Sequence, residues 1–265
     1  MTNINHPVMR YHGGKWRLAP WIISYFPDHR CYVEPFGGAA SILMRKERSY
    51  AEVYNDLDSD VVNLFTVLRN AELNERLQEA CQLTPYSREE FELARKIVND
   101  PLEQARRMVV RACMGFGSAS GLGGNSGFQS DSKREYSIYS HLWAKYPKNL
   151  GSICQRLQGV IIENRPAIEL IQKHDAEDTL FYLDPPYVSS TRVKGNRYYN
   201  FEMTDEQHQE LLCSIKNIKG KVLISGYDSQ LYNKELSDWT KVTKKSRISA
   251  GRGTGIRTEC LWMNY

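Results

Sequence analysis

The sequence predicts a doubly wound α/β domain that is interrupted by a helical insertion. Near both ends of the chain, short β-branched or aromatic runs alternate with amphipathic segments, which is typical of βα units in a mostly parallel sheet. Between these regions the strand patterns disappear and the spacing of apolar residues becomes helical. The simplest organisation is a sheet domain built from residues 1–70 and 159–265, with a helical domain from residues 71–158 inserted into it.

Each βα segment is predicted from its own pattern. In the first part of the chain we expect Cys31–Glu34 as a strand, Ala39–Lys46 as a helix, Ala51–Tyr54 as a strand and Ser59–Asn70 as a helix. In the last part, three apolar runs are typical of buried strands: Val160–Glu163, Thr179–Leu183 and Lys221–Ser225. A capping box at Thr204–Gln207 predicts the start of the helix before the last of them.

The inserted region contains helix starts and one segment that is not helical. Ser87 opens a capping box that ends at Glu90, and Pro101 starts a second helix. Residues 115–127 hold too many glycines for a helix or a strand. This segment is flanked by basic residues: Arg106, Arg107, Arg111, Lys133 and Arg134. The pattern predicts a mobile basic loop.

Composition excludes several classes of protein. Of 265 residues, 41% are hydrophobic and 25% are charged, which argues against disordered and fibrous proteins. The six cysteines are scattered singly, so neither a disulfide framework nor a zinc site is expected. No segment has the pattern of a signal peptide or a membrane span, and we expect a cytoplasmic protein. The net charge of +4 is too small to identify a partner by itself.

The motif Asp184-Pro185-Pro186-Tyr187 directly follows a predicted central strand. Open α/β sheets bind ligands at this end of their strands. The Asp184 carboxylate and the main-chain carbonyl of Pro185 are two acceptors that can draw the hydrogens of an amine out of the plane of a conjugated ring. The two prolines fix the backbone, and Tyr187 offers a ring for stacking. These four residues are the predicted catalytic group.

A second motif runs from Tyr32 to Ser41, where a strand leads through a glycine turn into a helix. It lacks the G-x-G-x-x-G pattern, which argues against a nicotinamide-dependent dehydrogenase. Gly37 and Gly38 allow a ligand to approach the backbone closely. Asp56 follows at about 20 residues, where a ribose hydroxyl is bound in such sheets. Both features fit a nucleoside ligand, and a simple strand-to-helix turn is the alternative.

A third segment, Tyr11 to Trp16, contains two glycines followed by Lys15. Alone it predicts only a loop before the first helix. Taken in order, with a helical insertion before Asp-Pro-Pro-Tyr, the three segments resemble the DNA adenine methylase family in its alpha arrangement. The resemblance extends over essentially the whole chain, and it leaves a phage or prophage origin open.

The resemblance implies a Rossmann-like methyltransferase sheet with an inserted helical target-recognition domain. It also implies S-adenosyl-L-methionine as the cofactor, no metal, and methylation of N6 of an adenine flipped out of double-stranded DNA, without an obligate protein partner. By their match to the family's motifs, these residues are expected to hold the cofactor: Tyr11, Lys15, Glu34, Pro35, Phe36, Gly37, Asp56, Leu57 and Asp184. Among them, Asp56 would hold the ribose and Leu57 would lie against the cofactor's adenine ring.

Two further segments have the composition of nucleic-acid contacts. Residues 191–201 combine three cations with three aromatic side chains, which suits a flipped base and its phosphates. Residues 241–257 form a basic stretch that we expect to be a hairpin. Ordinary exposed loops are the alternative for both. Together with the basic loop of the insertion, they contain the predicted nucleic-acid contacts: Arg111, Lys133, Arg134, Arg192, Lys194, Arg197, Tyr198 and Arg252.

The chain departs from the family's pattern in its inserted region. GATC-methylating members carry an Arg-Tyr-Asn-rich loop where this chain has Cys113–Ser118, so we expect a shorter or looser target sequence. Related tetrads occur in enzymes that methylate N4 of cytosine or a glutamine amide, and Asp184 favours adenine by resemblance only. A DNA-binding regulator without catalysis is the alternative from another class, and the intact tetrad and cofactor motifs argue against it.

Overall fold

The computed structural model shows two compact units. It describes residues 4–117, 120–122, 126–133, 138–191, 199–250 and 253–265. The helical unit comprises Met1–Ala19, Gly38–Glu47 and Asp58–Ile162. The sheet unit comprises Pro20–Gly37, Arg48–Leu57 and Glu163–Tyr265. Across the described ranges, no helix combines the length and the apolar character that a membrane crossing requires.

The described residues form a seven-stranded sheet in the order β3-β2-β1-β4-β5-β7-β6. Its strands are β1 Cys31–Glu34, β2 Ala51–Asn55, β3 Val160–Glu163, β4 Thr179–Leu183, β5 Lys221–Tyr227, β6 Thr240–Ala250 and β7 Gly253–Met263. β1 pairs in parallel with both β2 and β4, and β4 with β5. β7 runs antiparallel to β5 and β6. The predicted Rossmann-like doubly wound sheet is confirmed, and so is the hairpin, which β6 and β7 form.

Strand order reverses between β1 and β4. From β1 the chain continues to β2 on one side, and from β4 it continues to β5 on the other. Open α/β sheets bind ligands outside the carboxyl ends of the strands at such a switch point. A ligand site is therefore expected beside the residues that follow Glu34 and Leu183, the last residues of these two strands.

The helices account for the remaining regular structure. They are α1 Ala19–Ile23, α2 Ser41–Arg45, α3 Ser59–Arg69, α4 Ala71–Leu83, α5 Arg88–Leu93, α6 Pro101–Met114, α7 Tyr139–Lys145, α8 Leu150–Leu157, α9 Ala167–Lys173, α10 Asp205–Ile215 and α11 Gln230–Glu235. Local sequence begins several of them: Asp100 caps α6 with Pro101 in its first turn. The predicted capping box of Thr204 and Gln207 is present at the start of α10.

The core of the sheet unit lies on one face of its strands. Alternate strand residues point into it: Val33, Val53, Phe181, Leu183, Val222, Ile224, Cys260 and Trp262. Leu170 of α9, Leu211 of α10 and Tyr232 of α11 pack against them. Each such fully buried aliphatic or aromatic side chain contributes roughly 1.5–3 kcal/mol. The intervening residues of the same strands face the other way and are available for a site.

The predicted domain boundaries differ from the two compact units. Residues 1–19, 38–47, 58–70 and 159–162, assigned from sequence to the sheet domain, belong to the helical unit. For residues 58–70 the reason is that α3 packs against α4, α6 and α8, with Leu64 and Phe65 fully buried. As functional domains, residues 71–158 on one side and residues 1–70 with 159–265 on the other stay a prediction.

One predicted helix is much shorter than expected. The Ala39–Lys46 segment contains only α2, Ser41–Arg45. Ala40 adopts the left-handed conformation with φ 52° and ψ 37°, and Lys46 is extended, so neither can continue the helix. The Ser59–Asn70 prediction was wrong by a single residue at its end, because Asn70 is extended and caps α4 instead.

Candidate active site

Polar side chains of the sheet unit share the face opposite its apolar core. By strand alternation these residues are Tyr32, Glu34, Tyr182, Ser225, Tyr227 and Glu259. The β5–β7 register keeps the last two together, since Tyr227 lies directly opposite Glu259. Asp184 follows β4 by one residue and continues the same alternation. The predicted catalytic aspartate thus belongs to a cluster of hydroxyls and carboxylates.

The neighbouring strand holds the carboxylate of Asp184. Ser225 Oγ donates to Asp184 Oδ1 at 2.8 Å, and the Tyr182 hydroxyl lies 3.2 Å from the same Oγ. A serine hydroxyl carries one hydrogen, so the shorter bond assigns it to Asp184 and makes Tyr182 a donor to Ser225. Burial and the nearby Asp184 charge raise the pKa of Tyr182 well above its usual value, which keeps the phenol neutral. Asp184, itself half-buried, therefore has a fixed orientation.

Tyr187 is fixed by its hydroxyl as well as by its ring. The hydroxyl donates to Glu259 Oε1, and the ring packs edge-on against Tyr227 with centroids 4.6 Å apart and planes at 74°. Burial, followed by the charges of Asp184 and Glu259, raises the pKa of Tyr187 well above its usual value. The tyrosine is therefore a neutral donor with a defined ring orientation.

The residues after β1 form a tight turn against β2. Gly37 N–H donates to the Asn55 carbonyl at 2.8 Å, and Asn55 Nδ2 donates to the Pro35 carbonyl at 2.8 Å. A Cβ on Gly37 would lie 2.1 Å from the Tyr54 ring, so only glycine fits. Phe36 is half-buried and packs against the core of the sheet unit. Asn55, the last residue of β2, thus joins the two strand ends.

The predicted cofactor residues Glu34, Asp56 and Leu57 lie in three different environments. Glu34 is buried and accepts a hydrogen bond from the Tyr32 hydroxyl at 3.0 Å. Asp56 is half-buried, whereas Leu57 is 47% exposed. Asn164 donates to the carbonyls of both, at 2.8 Å and 3.1 Å. The turn after β2 is therefore held in place while Leu57 offers apolar surface.

In the helical unit, Tyr11 and Lys15 frame a second glycine turn. Gly38 has φ +48°, and a Cβ on it would lie 2.7 Å from the Tyr11 ring. Lys15 is buried, and its Nζ donates to the Gly13 carbonyl at 2.9 Å. Gly14 N–H donates to the Tyr11 carbonyl at 3.3 Å, which closes the loop that contains both residues. Their predicted contact with the cofactor stays a prediction.

Two predicted nucleic-acid contacts lie within the described residues. Arg111 donates through Nη1 to the Ala94 carbonyl at 2.7 Å and through Nη2 to the Gly121 carbonyl at 3.4 Å. Burial lowers the pKa of Arg111, although nearby carboxylates oppose the shift. These bonds give Arg111 a structural role, and its nucleic-acid role stays a prediction. Lys133, by contrast, is exposed.

The remaining predicted contacts lie outside the described residues: Arg134, Arg192, Lys194, Arg197, Tyr198 and Arg252. Two further basic residues of the expected loop, Arg106 and Arg107, form ion pairs with Glu103 at 2.6 Å and 2.7 Å. The cations on α6 therefore stabilise the helical unit itself.

Sequence reasoning missed Ser225 and Glu259 as site residues. It predicted the strand that contains Ser225 from its apolar run, and it assigned no role to either side chain. Successive side chains of a strand point to opposite faces, so Ser225 and Tyr227 lie on the same face. A polar residue within an otherwise apolar strand could have indicated a functional site. Only the pairing of the strands shows that Ser225 contacts Asp184 and that Glu259 contacts Tyr187.

The chain resembles known proteins over most of its length. Residues 11–250 match the family model described as D12 class N6 adenine-specific DNA methyltransferase. A DNA adenine methylase of Escherichia coli (strain K12) is 24% identical over 275 residues, covering 98% of this chain and 95% of that protein. One from Serratia marcescens is 24% identical over 243 residues, covering 86% and 85%.

Among solved structures, a SAM-dependent methyltransferase from Agrobacterium tumefaciens is similar with a TM-score of 0.41 and 11% identity, over 94% of this chain and 61% of that one. A likeness this weak adds no support. The match to the family model extends over nearly the whole chain and includes the Asp-Pro-Pro-Tyr motif, the glycine turns and the inserted helices. The chain therefore belongs to the D12 class of N6 adenine-specific DNA methyltransferases.

Proposed function

We propose that this chain transfers a methyl group from S-adenosyl-L-methionine to N6 of an adenine that is flipped out of double-stranded DNA. The observation that carries the proposal is the Asp184 carboxylate at the carboxyl end of β4, held by Ser225 at 2.8 Å. Its position beside the switch point is where such sheets bind ligands. Family membership supports the adenine and the DNA.

The proposed role of Asp184 is to accept a hydrogen bond from the adenine amine. The nitrogen lone pair of that amine is delocalised into the ring, which makes it a weak nucleophile. Two acceptors, the Asp184 carboxylate and the Pro185 carbonyl, would draw both hydrogens out of the ring plane and localise the lone pair. Because the acceptors are already oriented, no reorganisation is needed when the reaction occurs. Bound S-adenosyl-L-methionine would supply the electrophilic methyl group, and its transfer to the amine would release S-adenosylhomocysteine and one proton from N6.

Tyr187 and the two prolines would position the base. A flipped base needs a surface to replace its lost neighbours in the stack, and an aromatic ring supplies one. The Tyr187 ring is held by Tyr227 and by its own hydroxyl. Pro185 and Pro186 restrict the backbone that carries the second acceptor. Positioning of this kind accounts for much of the barrier reduction when the methyl group is already activated.

The side chains at the carboxyl ends of β1 and β2 fit S-adenosyl-L-methionine. Asp56 offers a half-buried carboxylate to a ribose diol, and the exposed Leu57 beside it suits a purine ring. The Glu34 carboxylate and that of Asp184 suit a ligand with positive charges. Cofactor contacts are also proposed for Tyr11 and Lys15, as the family motif implies.

DNA contacts are proposed for the basic segments. Lys133 is exposed, and Arg134, Arg192, Lys194, Arg197, Tyr198 and Arg252 have the side chains that phosphates and unstacked bases require. Target recognition is assigned to residues 71–158, with a sequence preference shorter or looser than GATC. A DNA substrate would place the reaction in the cytoplasm, and no obligate protein partner is invoked.

The test is methylation of unmodified DNA followed by sequencing that detects modified bases. The purified protein is incubated with S-adenosyl-L-methionine and the DNA, and cofactor binding is titrated separately by calorimetry. We expect saturable cofactor binding and N6-methyladenine within a defined sequence context. Methyl groups on cytosine, or cofactor binding without any DNA methylation, would contradict the proposal.

A further inference from the structure

A carboxylate lies buried in β7, directly before the apolar residues Cys260–Met263. Glu259 is 3% exposed, and Leu261, which faces the same side of the sheet, is completely buried. Burying a carboxylate is costly unless hydrogen bonds replace its lost water. The contacts of Glu259 should therefore explain why a carboxylate is buried at this position.

The contact of interest is with the proposed stacking residue. Tyr187 Oη donates to Glu259 Oε1. Glu259 also lies directly opposite Tyr227 in the β5–β7 register, and Tyr227 packs edge-on against the Tyr187 ring at 4.6 Å. The Arg257 guanidinium lies over the Tyr227 ring, 5.6 Å from its centroid. Two neighbouring strands thus fix the far end of Tyr187.

The near end of Tyr187 is fixed by the chain itself. Pro185 and Pro186 precede it and restrict the backbone. A tyrosine side chain has two rotatable bonds, so holding its hydroxyl fixes the direction in which the ring extends from the backbone. The edge contact with Tyr227 restricts the rotation of the ring about that direction.

We propose that Glu259 is a positioning residue that holds the Tyr187 hydroxyl and thereby sets the direction of the ring on which the target adenine stacks. This inference rests on the proposed function and adds to it a residue from the last strand, 72 positions along the chain from Tyr187. Its effect is on placement of the base, since a small misplacement of the reacting group is enough to lower the rate strongly.

The test is a double-mutant cycle in single-turnover methyl transfer, with DNA and cofactor affinities measured in parallel. Glu259→Ala and Tyr187→Phe each remove the same hydrogen bond, the second without removing the ring. We expect each to lower the rate about 10- to 100-fold. The double variant should be no slower than the slower single variant, because residues that share one interaction are not additive. Affinities should change little.

Two matched variants separate positioning from folding. Glu259→Gln keeps an oxygen acceptor of the same reach, so its rate should fall by no more than about 3-fold. Glu235→Ala removes a glutamate of the same unit that pairs with Lys216 at 2.8 Å, and its rate should equal that of the wild type. If Glu259→Ala does not fold, Tyr187→Phe with Glu259→Gln still tests the bond from both sides.

The outcomes are distinguishable. An active wild type whose Glu259→Ala and Tyr187→Phe effects multiply, or whose rate is insensitive to Tyr187→Phe, overturns the positioning role alone. Loss of rate in Glu259→Ala together with loss of both affinities overturns it as well, in favour of a purely structural role. If the wild-type protein methylates no adenine, the proposed function is wrong, and so is this inference.

Discussion

The carboxylates of the candidate site in the sheet unit and Glu103 in the helical unit have different hydrogen-bond partners. In the sheet unit, Asp184, Glu34 and Glu259 each accept a hydrogen bond from a neutral hydroxyl. In the helical unit, Glu103 is bound by two guanidinium groups, those of Arg106 and Arg107, at 2.6 Å and 2.7 Å. A hydroxyl orients a carboxylate without neutralising it, whereas a guanidinium does both.

The two kinds of carboxylate are suited to different roles, one to ligand binding and the other to stability. An oriented carboxylate is suited to a ligand that brings positive charge or N–H donors, and a neutralised one is suited to joining helices. We therefore expect substitutions of the site carboxylates or of their hydroxyl partners to change the reaction rate more than the stability. Substitutions in the Glu103 cluster should change the stability and leave the rate alone.

The largest expected effect is that of Asp184→Ala. Removing one preorganised group at a reacting centre costs about 10²–10³-fold in rate, and Asp184 is the central acceptor here, so we expect a loss of about 10³-fold or more. Single-turnover methyl transfer measures it, and DNA affinity should stay near that of the wild type. Asp205→Ala, in the exposed first turn of α10, is the matched control. A fully active Asp184→Ala would abolish the distinction between the two units.

Gly37→Ala is expected to lower stability in the sheet unit, where most effects are on rate. The added Cβ would lie 2.1 Å from the Tyr54 ring, and overpacking of this kind costs about 1–3 kcal/mol. Chemical denaturation measures the change. Gly151→Ala in α8 is the control, because its Cβ would meet no atom within 4 Å and the helix should gain about 1 kcal/mol. Equal stability of the two variants would show that the turn is not tightly packed.

Glu103→Gln tests the helical unit. Hydrogen bonds to charged groups contribute about 2 kcal/mol, so we expect that loss in the free energy of unfolding at pH 7, with no change in rate. The hydrogen bond from Arg106, and after it that from Arg107, lowers the pKa of Glu103.

This pKa shift predicts how the effect of Glu103→Gln depends on pH. A lowered folded-state pKa stabilises the protein above the unfolded value of about 4.3, and the stabilisation is lost as the pH falls through the folded-state pKa. The difference between wild type and variant should therefore shrink below about pH 4.3. Denaturation curves at several pH values provide the measurement, and a difference that grows in acid would mean that Glu103 is not held as a carboxylate.

Ser225→Ala has the smallest expected effect. Loss of one hydroxyl removes one of the hydrogen bonds that orient the Asp184 carboxylate, which should slow methyl transfer about 10-fold, equivalent to about 1.4 kcal/mol. Ser152→Ala removes a hydroxyl that bonds only within the helical unit, to the Asn149 carbonyl at 2.8 Å. Its rate should be that of the wild type. A Ser225→Ala variant that turns over normally would show that the hydroxyl does not orient Asp184.

Local patterns in the sequence predicted much of the fold. The strands Cys31–Glu34, Val160–Glu163 and Thr179–Leu183 begin and end where the apolar runs do. The Thr204 capping box is also present. These features depend on residues that are adjacent in the chain, which is why a single sequence was enough.

Features that depend on distant residues could not be predicted. Ser225 is 41 positions from Asp184, and Glu259 is 72 from Tyr187, so each contact exists only because β5 lies between β4 and β7. The left-handed backbone conformation of Ala40 could not be predicted for another reason. Residues other than glycine rarely adopt φ near +52°, and nothing in the local sequence indicates that this one does. The sequence therefore identified the Asp-Pro-Pro-Tyr motif but not Ser225 and Glu259, the residues that hold it.

The most direct test of the central claim is a crystal structure of the protein with its target duplex and S-adenosylhomocysteine. We predict that the target adenine lies outside the helix, with N6 about 2.7–3.2 Å from both the Asp184 carboxylate and the Pro185 carbonyl. An adenine that remains stacked in the duplex, or an Asp184 side chain turned away from N6 beyond hydrogen-bond distance, would contradict the account.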